Sequence, residues 1–390
     1  MKMFIDGRWT DSSDGAVSSV INPATGVCVD TVPEATEQDV DRAIALAVEG
    51  QKEWNDIPLH VKTFHFRALL CPADGKYWKK SRPSCVKKAV SPLNSAARKL
   101  PPTLRSFAFI VLPHIPFYGK SLPYNAEPRS QGDVAFTIHE PLGVFANIVP
   151  FNYPVELAAH KLAPMLVTGN SVVLMPSSKT PRSALLLVEL LVRAGVPAKA
   201  VCCITGAGSK VGSRAAADPR RSRRQLYRQY PCGHQPSRNL CQKPSSSVSG
   251  AWRQRCTGHF FDDCDYALAL DEVINGRIGN AGQTCCASKR FIVQRGIYDR
   301  FVRDLTARLA KIKMGDPSDP SVELGPCVRE DSAADVEKQI RLTIEQGGKI
   351  GVRRQAHQCI CRTHRVGGLA RNRHRTGYGG VRPCISNDRV

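Results

Sequence analysis

Residues Asn280-Ala281-Gly282-Gln283-Thr284-Cys285-Cys286-Ala287-Ser288-Lys289-Arg290 place two thiols on a turn bracketed by glycine. The residues before it, Asp263 to Arg277, carry a helical pattern, and Phe291-Ile292-Val293 after it reads as a β-strand. A thiol on a tight turn lies near backbone N–H groups, which favour the thiolate and stabilise an oxyanion formed on a carbonyl under attack. The chemistry open to such a group is nucleophilic. A Cys-Cys pair also fits a core position, since thiols pack as small apolar groups. Spacing alone leaves both readings open.

The elements that must carry this turn are legible on either side. Gly143 to Val149 is an apolar run of the kind found in buried strands, and Pro154 to Leu166 reads as a helix apart from Pro164. Ser171 to Leu174 is a second strand. Thr180-Pro181 supplies N-cap and first turn for an amphipathic helix that Gly195 closes. Val201 to Thr205 is a third strand, ending in Gly206-Ala207-Gly208. This alternation predicts a doubly wound parallel α/β sheet. Ligands in such sheets sit beyond the carboxyl ends of the strands, where Pro150-Phe151-Asn152, Pro176-Ser177 and Gly206 to Gly212 fall. Upstream, Phe4 to Trp9 reads as a hairpin around Asp6-Gly7, and Thr36 caps a helix with Val40, Ala43, Ile44, Ala47 and Val48 as its stripe. Downstream, Tyr298 to Lys313 is a helix stopped by Gly315-Asp316-Pro317.

The 390 residues carry a net charge of +21, which raises nucleic acid or an anionic membrane as partners. The charge is not evenly spread. Segments 62–117, 221–255 and 351–390 hold 28 basic and two acidic residues, so the rest of the chain carries −5. Those blocks show no persistent apolar face to offset the entropy of ordering, so no element is predicted in them. They also lack aromatic platforms or a recognition motif, which argues against a specific nucleic-acid partner. Cys359, Cys361, His364 and His357 crowd together without a second pair at finger spacing, so no metal site is assigned. No apolar run is long enough for a membrane span and no signal peptide is evident, so the expectation is a cytoplasmic protein with reduced thiols.

The stretches 1–61, 118–220 and 261–350 resemble aldehyde dehydrogenases, with the flavour of the succinate-semialdehyde branch. The string Gly282-Gln283-Thr284-Cys285, followed by a small residue and then a basic one, is similar to the family's cysteine signature, and Pro150-Phe151-Asn152-Tyr153-Pro154 to its Pro-aromatic-Asn motif. The resemblance implies a cofactor domain with the doubly wound sheet and an α/β catalytic domain. It divides the chain into 1–117 (first part of the cofactor domain), 118–142 (a bridging, oligomerisation arm), 143–255 (cofactor binding) and 256–390 (an incomplete catalytic domain, stopping short of the family's C-terminal region). It implies Cys285 as nucleophile and the Asn152 amide as oxyanion donor in the oxidation of a small aldehyde. NAD or NADP would lie along Ile148, Val149, Pro150, Phe151, Met175, Pro176, Ser177, Ser178, Gly208 and Gly212. The family would be a homo-oligomer. Met175 stands where the family usually has a lysine that holds the adenosine ribose, and Ser178 where it has a glutamate. Losing that acid removes a repulsion against a 2′-phosphate.

The family also places a glutamate base in a Glu-Leu-Gly-Gly motif before the cysteine. Here that region reads Ser249-Gly250-Ala251-Trp252-Arg253, and no glutamate occurs between Leu191 and Glu272. Codons exist for Ser249 to Arg255 that, read from the second base, give Leu-Glu-Leu-Gly-Gly-Asn-Asp. The same offset on Leu226 to His234 permits the family's phosphate-binding Phe-Thr-Gly-Ser-Thr, and on His374 to Cys384 its ribose-binding Glu-Val-Phe-Gly-Pro. Ser84 to Ser91, in the other offset, permits Leu-Cys-Glu-Glu-Ser-Gly-Lys. Four agreements, each in place along the chain, predict that the basic blocks are out of frame. Sequencing the DNA and translating all frames should therefore yield a Glu codon across Gly250 and Ala251 and erase the basic excess. Codons that forbid Glu-Leu-Gly-Gly there would defeat the frame account.

Overall fold

The computed structural model describes residues 1–62, 65, 119–122, 134–217, 223–226, 247–249, 257–288, 290–347, 349–353, 364–367 and 384–386. The chain opens with a hairpin of β1 (Met3–Ile5) and β2 (Arg8–Thr10), then a second hairpin of β3 (Val17–Ile21) and β4 (Cys28–Pro33). Helix α1 spans Glu37–Asn55. The short strands β5 (Ser121–Leu122) and β6 (Ala135–Phe136) pair in the bridging segment. The alternating region then gives β7 (Val144–Ile148), α2 (Pro154–Val167), β8 (Ser171–Met175), α3 (Arg182–Arg193), β9 (Val201–Cys203) and α4 (Val211–Ala217). Strands β10 (Arg223–Leu226) and β11 (Ser247–Ser249) complete a seven-stranded sheet of order β11-β10-β7-β8-β9-β1-β2. Its five central and outer strands β11 to β9 run parallel, while β1 pairs antiparallel with β9.

Helices cover both faces of this sheet, as a parallel sheet requires. Val40, Ala43, Ile44 and Ala47 of α1 pack against Ala146, Ile148, Val173 and Cys202. On the other face, Leu162 and Leu166 of α2 and Leu185 and Val188 of α3 pack against Phe145, Val172, Leu174 and Cys203. Alternate residues along β7 and β8 thus serve two cores, which explains why both strands read as largely apolar runs, with buried Asn147 in β7 and Ser171 in β8 as the polar exceptions. Helix α2 continues through Pro164, because the missing N–H falls opposite the carbonyl of exposed His160.

A second sheet, of order β12-β13-β16-β15-β14, is built from β12 (Thr257–Phe260), β13 (Arg290–Val293), β14 (Lys349–Arg353), β15 (His364–Gly367) and β16 (Cys384–Ser386). Helices α5 (Tyr266–Ile278) and α6 (Arg295–Lys311) pack on it through Leu270, Val273, Phe291, Val293, Phe301 and Leu305. Helix α7 (Glu330–Glu345) follows.

Two expectations need correction. Blocks 221–255 and 351–390 were read as containing no element, yet β10, β11, β15, β16 and most of β14 lie inside them. Strand pairing uses backbone N–H and C=O groups, so a ladder partner imposes the strand where the side chains give no period. The second concerns α3, which starts at Arg182 with Pro181 as its N-cap, not Thr180. The Thr180 hydroxyl is spent elsewhere, donating to the Phe151 carbonyl at 3.2 Å.

At α1 the expected cap forms in full. Thr36 Oγ1 accepts from the Asp39 N–H at 3.2 Å, and the buried Asp39 carboxylate accepts from the Thr36 N–H at 2.9 Å and the Ser13 N–H at 3.1 Å. The Ser13 hydroxyl also donates to it. Burial works to raise the Asp39 pKa, but the bonds from Ser13 and Thr36 together hold it below the usual carboxylate range. Such a group stabilises the fold above its unfolded pKa and stops doing so as pH falls through its folded value. Asp39→Ala should lower the free energy of unfolding at pH 7 by about 2 kcal/mol, and urea titrations should show the gap to wild type closing toward pH 3.

Candidate active site

The site begins where β7 ends. The Val149 N–H donates to the Met175 carbonyl at 3.0 Å, which keeps the departing chain in line with β8. Lys161, reaching back from α2, donates to the Ile148 carbonyl at 2.6 Å and is almost wholly buried. Burial alone pulls its pKa from 10.5 to about 7. The loop Pro150-Phe151-Asn152-Tyr153 then crosses the end of the sheet, with the Phe151 ring under Lys179 Nζ at 5.1 Å. No described residue takes up the Asn152 side-chain amide in a hydrogen bond, so its donors are available.

The thiol loop comes from the other sheet. Helix α5 ends at Ile278, and Asn280 and Ala281 both turn into the left-handed region, at φ 51° and 54°. Gly282 follows at φ 73°, and an added Cβ there would meet Arg277 Nη1 at 2.7 Å. Arg277 donates to the Gly282 carbonyl at 3.4 Å, and its pKa is drawn down to about 10 by burial. Gln283 bridges within and beyond the turn, donating to the Asn280 carbonyl at 3.1 Å and accepting from the Val328 N–H at 3.0 Å. Cys285 and Cys286 both emerge exposed. By contrast Cys202 and Cys203 of β9 are buried, and burial raises both thiols, Cys202 to about 11.

Two hydrogen bonds join the loops. Asn280 Nδ2 donates to the Asn152 carbonyl at 2.9 Å, and the Tyr153 and Thr284 hydroxyls lie 2.9 Å apart. The structure therefore brings the Asn152 loop and the Cys285 loop together, across 128 and 131 residues of chain. Sequence reasoning named Tyr153, Asn280 and Arg277 only as neighbours within motifs and gave them no role. Lys161 was missed, and its signal was a lone cation on the apolar stripe of a helix.

The other predicted cofactor positions gather at the same edge. Met175, buried at the end of β8, carries no donor; Pro176 after it is also buried, and Ser177 and Ser178 are half-buried. A Cβ on Gly212 would lie 3.1 Å from Ile148 Cδ1, so α4 approaches the end of β7 as glycine allows. Gly208 is half-buried in the loop between β9 and α4. That loop is also held by Glu34, whose carboxylate accepts from the Ala207 N–H at 2.9 Å. Strand β11 leaves the sheet at the same edge, and Gly250 and Ala251, where the family's base would stand, lie outside the described residues. So do the stretches 227–234 and 374–383, and Ser84 to Ser91. Among the described residues, no group of His, Cys, Asp and Glu is placed to hold a metal, and no helix is long and apolar enough to cross a membrane.

The sequence model of the aldehyde dehydrogenase family matches residues 9–363. The chain belongs to that family. It is 30% identical over 355 residues to the succinate-semialdehyde dehydrogenase (NADP+) of Escherichia coli K12, covering 91% of this chain and 72% of the relative. With the 3-sulfolactaldehyde dehydrogenase of Pseudomonas putida it shares 31% over 363 residues, at the same coverage. Among solved structures, an NADP-dependent enzyme of Escherichia coli superposes with a TM-score of 0.87 at 26% identity, over 98% of this chain and 79% of that one. The betaine aldehyde dehydrogenase of Staphylococcus aureus, solved with NAD+, shares the fold at a TM-score of 0.88 and 23% identity, over 100% and 80%. The architecture expected from the resemblance, a doubly wound cofactor sheet with a second α/β unit, is the one observed.

The buried lysine gives a test of how the edge is built. Between pH 7 and about 10.5 the unfolded chain binds a proton at Lys161 that the folded chain has shed, so stability contributed through this group rises with pH across that window. Lys161→Met should abolish the slope. Urea unfolding at pH 7 and pH 10 should show wild type gaining a few kcal/mol relative to the variant, roughly 1.4 kcal/mol per pH unit at most.

Proposed function

We propose that the chain carries the thiol site of an NAD(P)-dependent aldehyde oxidation, with Cys285 as nucleophile and Asn152 as oxyanion donor. The observation that carries this reading is the pair of hydrogen bonds that fastens the Asn152 loop to the Cys285 turn. The Cys285 thiolate forms a C–S bond to the aldehyde carbon, and the carbonyl π pair moves onto oxygen as an oxyanion that the Asn152 amide and the turn's N–H groups stabilise. A bound nicotinamide supplies the acceptor for the hydride that leaves this carbon. The remaining thioester needs water and a base to release the acid.

The cofactor edge supports a dinucleotide through the shape of its loops: Gly206, at φ 144°, lets the loop after β9 pass close to Val211 and Ala35, and Gly212 lets α4 close on the end of β7. It does not offer the ribose a donor at Met175. Ser178 presents no carboxylate to a 2′-phosphate, which favours NADP alongside NAD. The relatives named for succinate semialdehyde and 3-sulfolactaldehyde support a small aldehyde bearing an acid group as substrate. The bridging segment leaves Val134, Phe136 and Ile138 exposed at alternate positions, a stripe that a second copy of the chain would cover. The nucleic-acid reading rests on charge alone.

The base is what the chain lacks, since the positions after β11 are Gly250 and Ala251. Removal of a general base costs about a hundred- to ten-thousand-fold in rate. The chain as written should therefore reduce NAD or NADP at no more than about a hundredth of the rate of a variant whose codons 226–255 are read in the corrected frame. Cofactor reduction with succinate semialdehyde measures this. Ordinary turnover by the uncorrected chain would sink the inactivity, and no gain on correction would sink the assignment of the base.

A further inference from the structure

We propose that Tyr153 is a positioning residue for the Cys285 thiol, acting through Thr284. The inference rests on Cys285 being the nucleophile. A hydroxyl has one proton to give. Thr284 Oγ1 lies 3.3 Å from the Gly279 carbonyl, which can only accept, so the Thr284 proton is committed there. The 2.9 Å contact between the hydroxyls then runs one way, with Tyr153 donating to Thr284. The result is a relay from Tyr153 to Thr284 to Gly279 that ties both ends of the thiol turn, since Gly279 opens it and Thr284 is bonded to Cys285. Its anchor is firm. Tyr153 is the N-cap residue of α2, and its carbonyl accepts the first helical bond from Leu157 at 2.9 Å. Burial raises the Tyr153 pKa above its ordinary value of 10.0 against the opposing hydrogen bond with Thr284, so the phenol keeps its proton at neutral pH and can donate it.

The second tie, from Asn280 to the Asn152 carbonyl, holds the turn's opening but not the residue next to the thiol. Without the tyrosine hydroxyl the turn keeps its internal bond from Thr284 to Gly279 but loses the tie that fixes Thr284, and with it Cys285, against the start of α2. A phenylalanine would keep the packing and lose only the bond, which separates positioning from bulk.

The test is peptide-resolved alkylation of the intact chain by iodoacetamide. Exposed Cys28, on β4, serves as internal reference, and buried Cys203 as a sensor of unfolding. In wild type Cys285 should react faster than Cys28 and Cys286. Tyr153→Phe should lower the Cys285-to-Cys28 rate ratio about three- to ten-fold, the scale of one lost positioning hydrogen bond. Thr284→Val should do the same, Thr284→Ser should keep the wild-type ratio, and the double variant should fall no further than either single change. A Tyr153→Phe ratio equal to wild type would overturn the proposal, as would additive losses or a Thr284→Ser loss as large as that of valine. Wild-type Cys285 no faster than Cys28 would instead remove the nucleophile, and the proposal with it. Should Tyr153→Phe label at Cys203, the valine and serine variants decide the matter alone.

Discussion

The proposed chemistry depends on two loops from different sheets being held against each other. The carbonyl of Asn152 accepts from Asn280, and the hydroxyl of Tyr153 meets that of Thr284. Neither loop makes a site alone: one offers an amide donor, the other a thiol. The contact constrains both backbones. On one side β7 must be seated between β10 and β8. On the other, two non-glycine residues in succession adopt positive φ, at a cost of about 1 kcal/mol each. Arg277 and Gln283 offset that cost by bonding across the turn, which is why a half-buried cation and an amide side chain sit where a loop could have been left to solvent.

Much of the scaffold was legible because single physical signals fixed it. Thr36 ahead of the stripe of Val40, Ala43, Ile44, Ala47 and Val48 gave the start of α1, and the largely apolar runs of β7 and β8 read as strands. The turn was legible from its bracketing glycines, while the choice of Cys285 on it came from the family resemblance and not from spacing. What escaped was tertiary. Nothing in the order of residues shows that the Thr180 hydroxyl prefers a loop carbonyl to a helix N–H, or that Tyr153 finds a hydroxyl 131 positions away. Lys161 was hidden for a related reason. A cation in a helix is ordinarily a solvated one, and here the end of β7 beside it supplies a carbonyl that accepts from it.

The basic blocks teach the opposite lesson. Their residues carry no period, yet Arg223–Leu226 pairs with all four of Phe145 to Ile148, and Ser247–Ser249 pairs with Arg224 to Leu226 in turn. A strand next to a well-made partner is defined by amide groups that every residue shares. Reading the same positions through their side chains finds arginine and glutamine where the sheet asks only for a backbone.

That indifference of the ladder separates two kinds of inheritance. Overall shape rests on main-chain geometry, which the outer strands β10 and β11 keep although their residues show no period. Catalysis is passed on through a few particular atoms at the ends of those strands. On the proposed reading, a chain seated in this way superposes on solved aldehyde dehydrogenases along nearly its whole length while lacking the carboxylate on which turnover rests. Outline and activity are then separate properties, the first following from the ladder and the second from the few atoms at its ends.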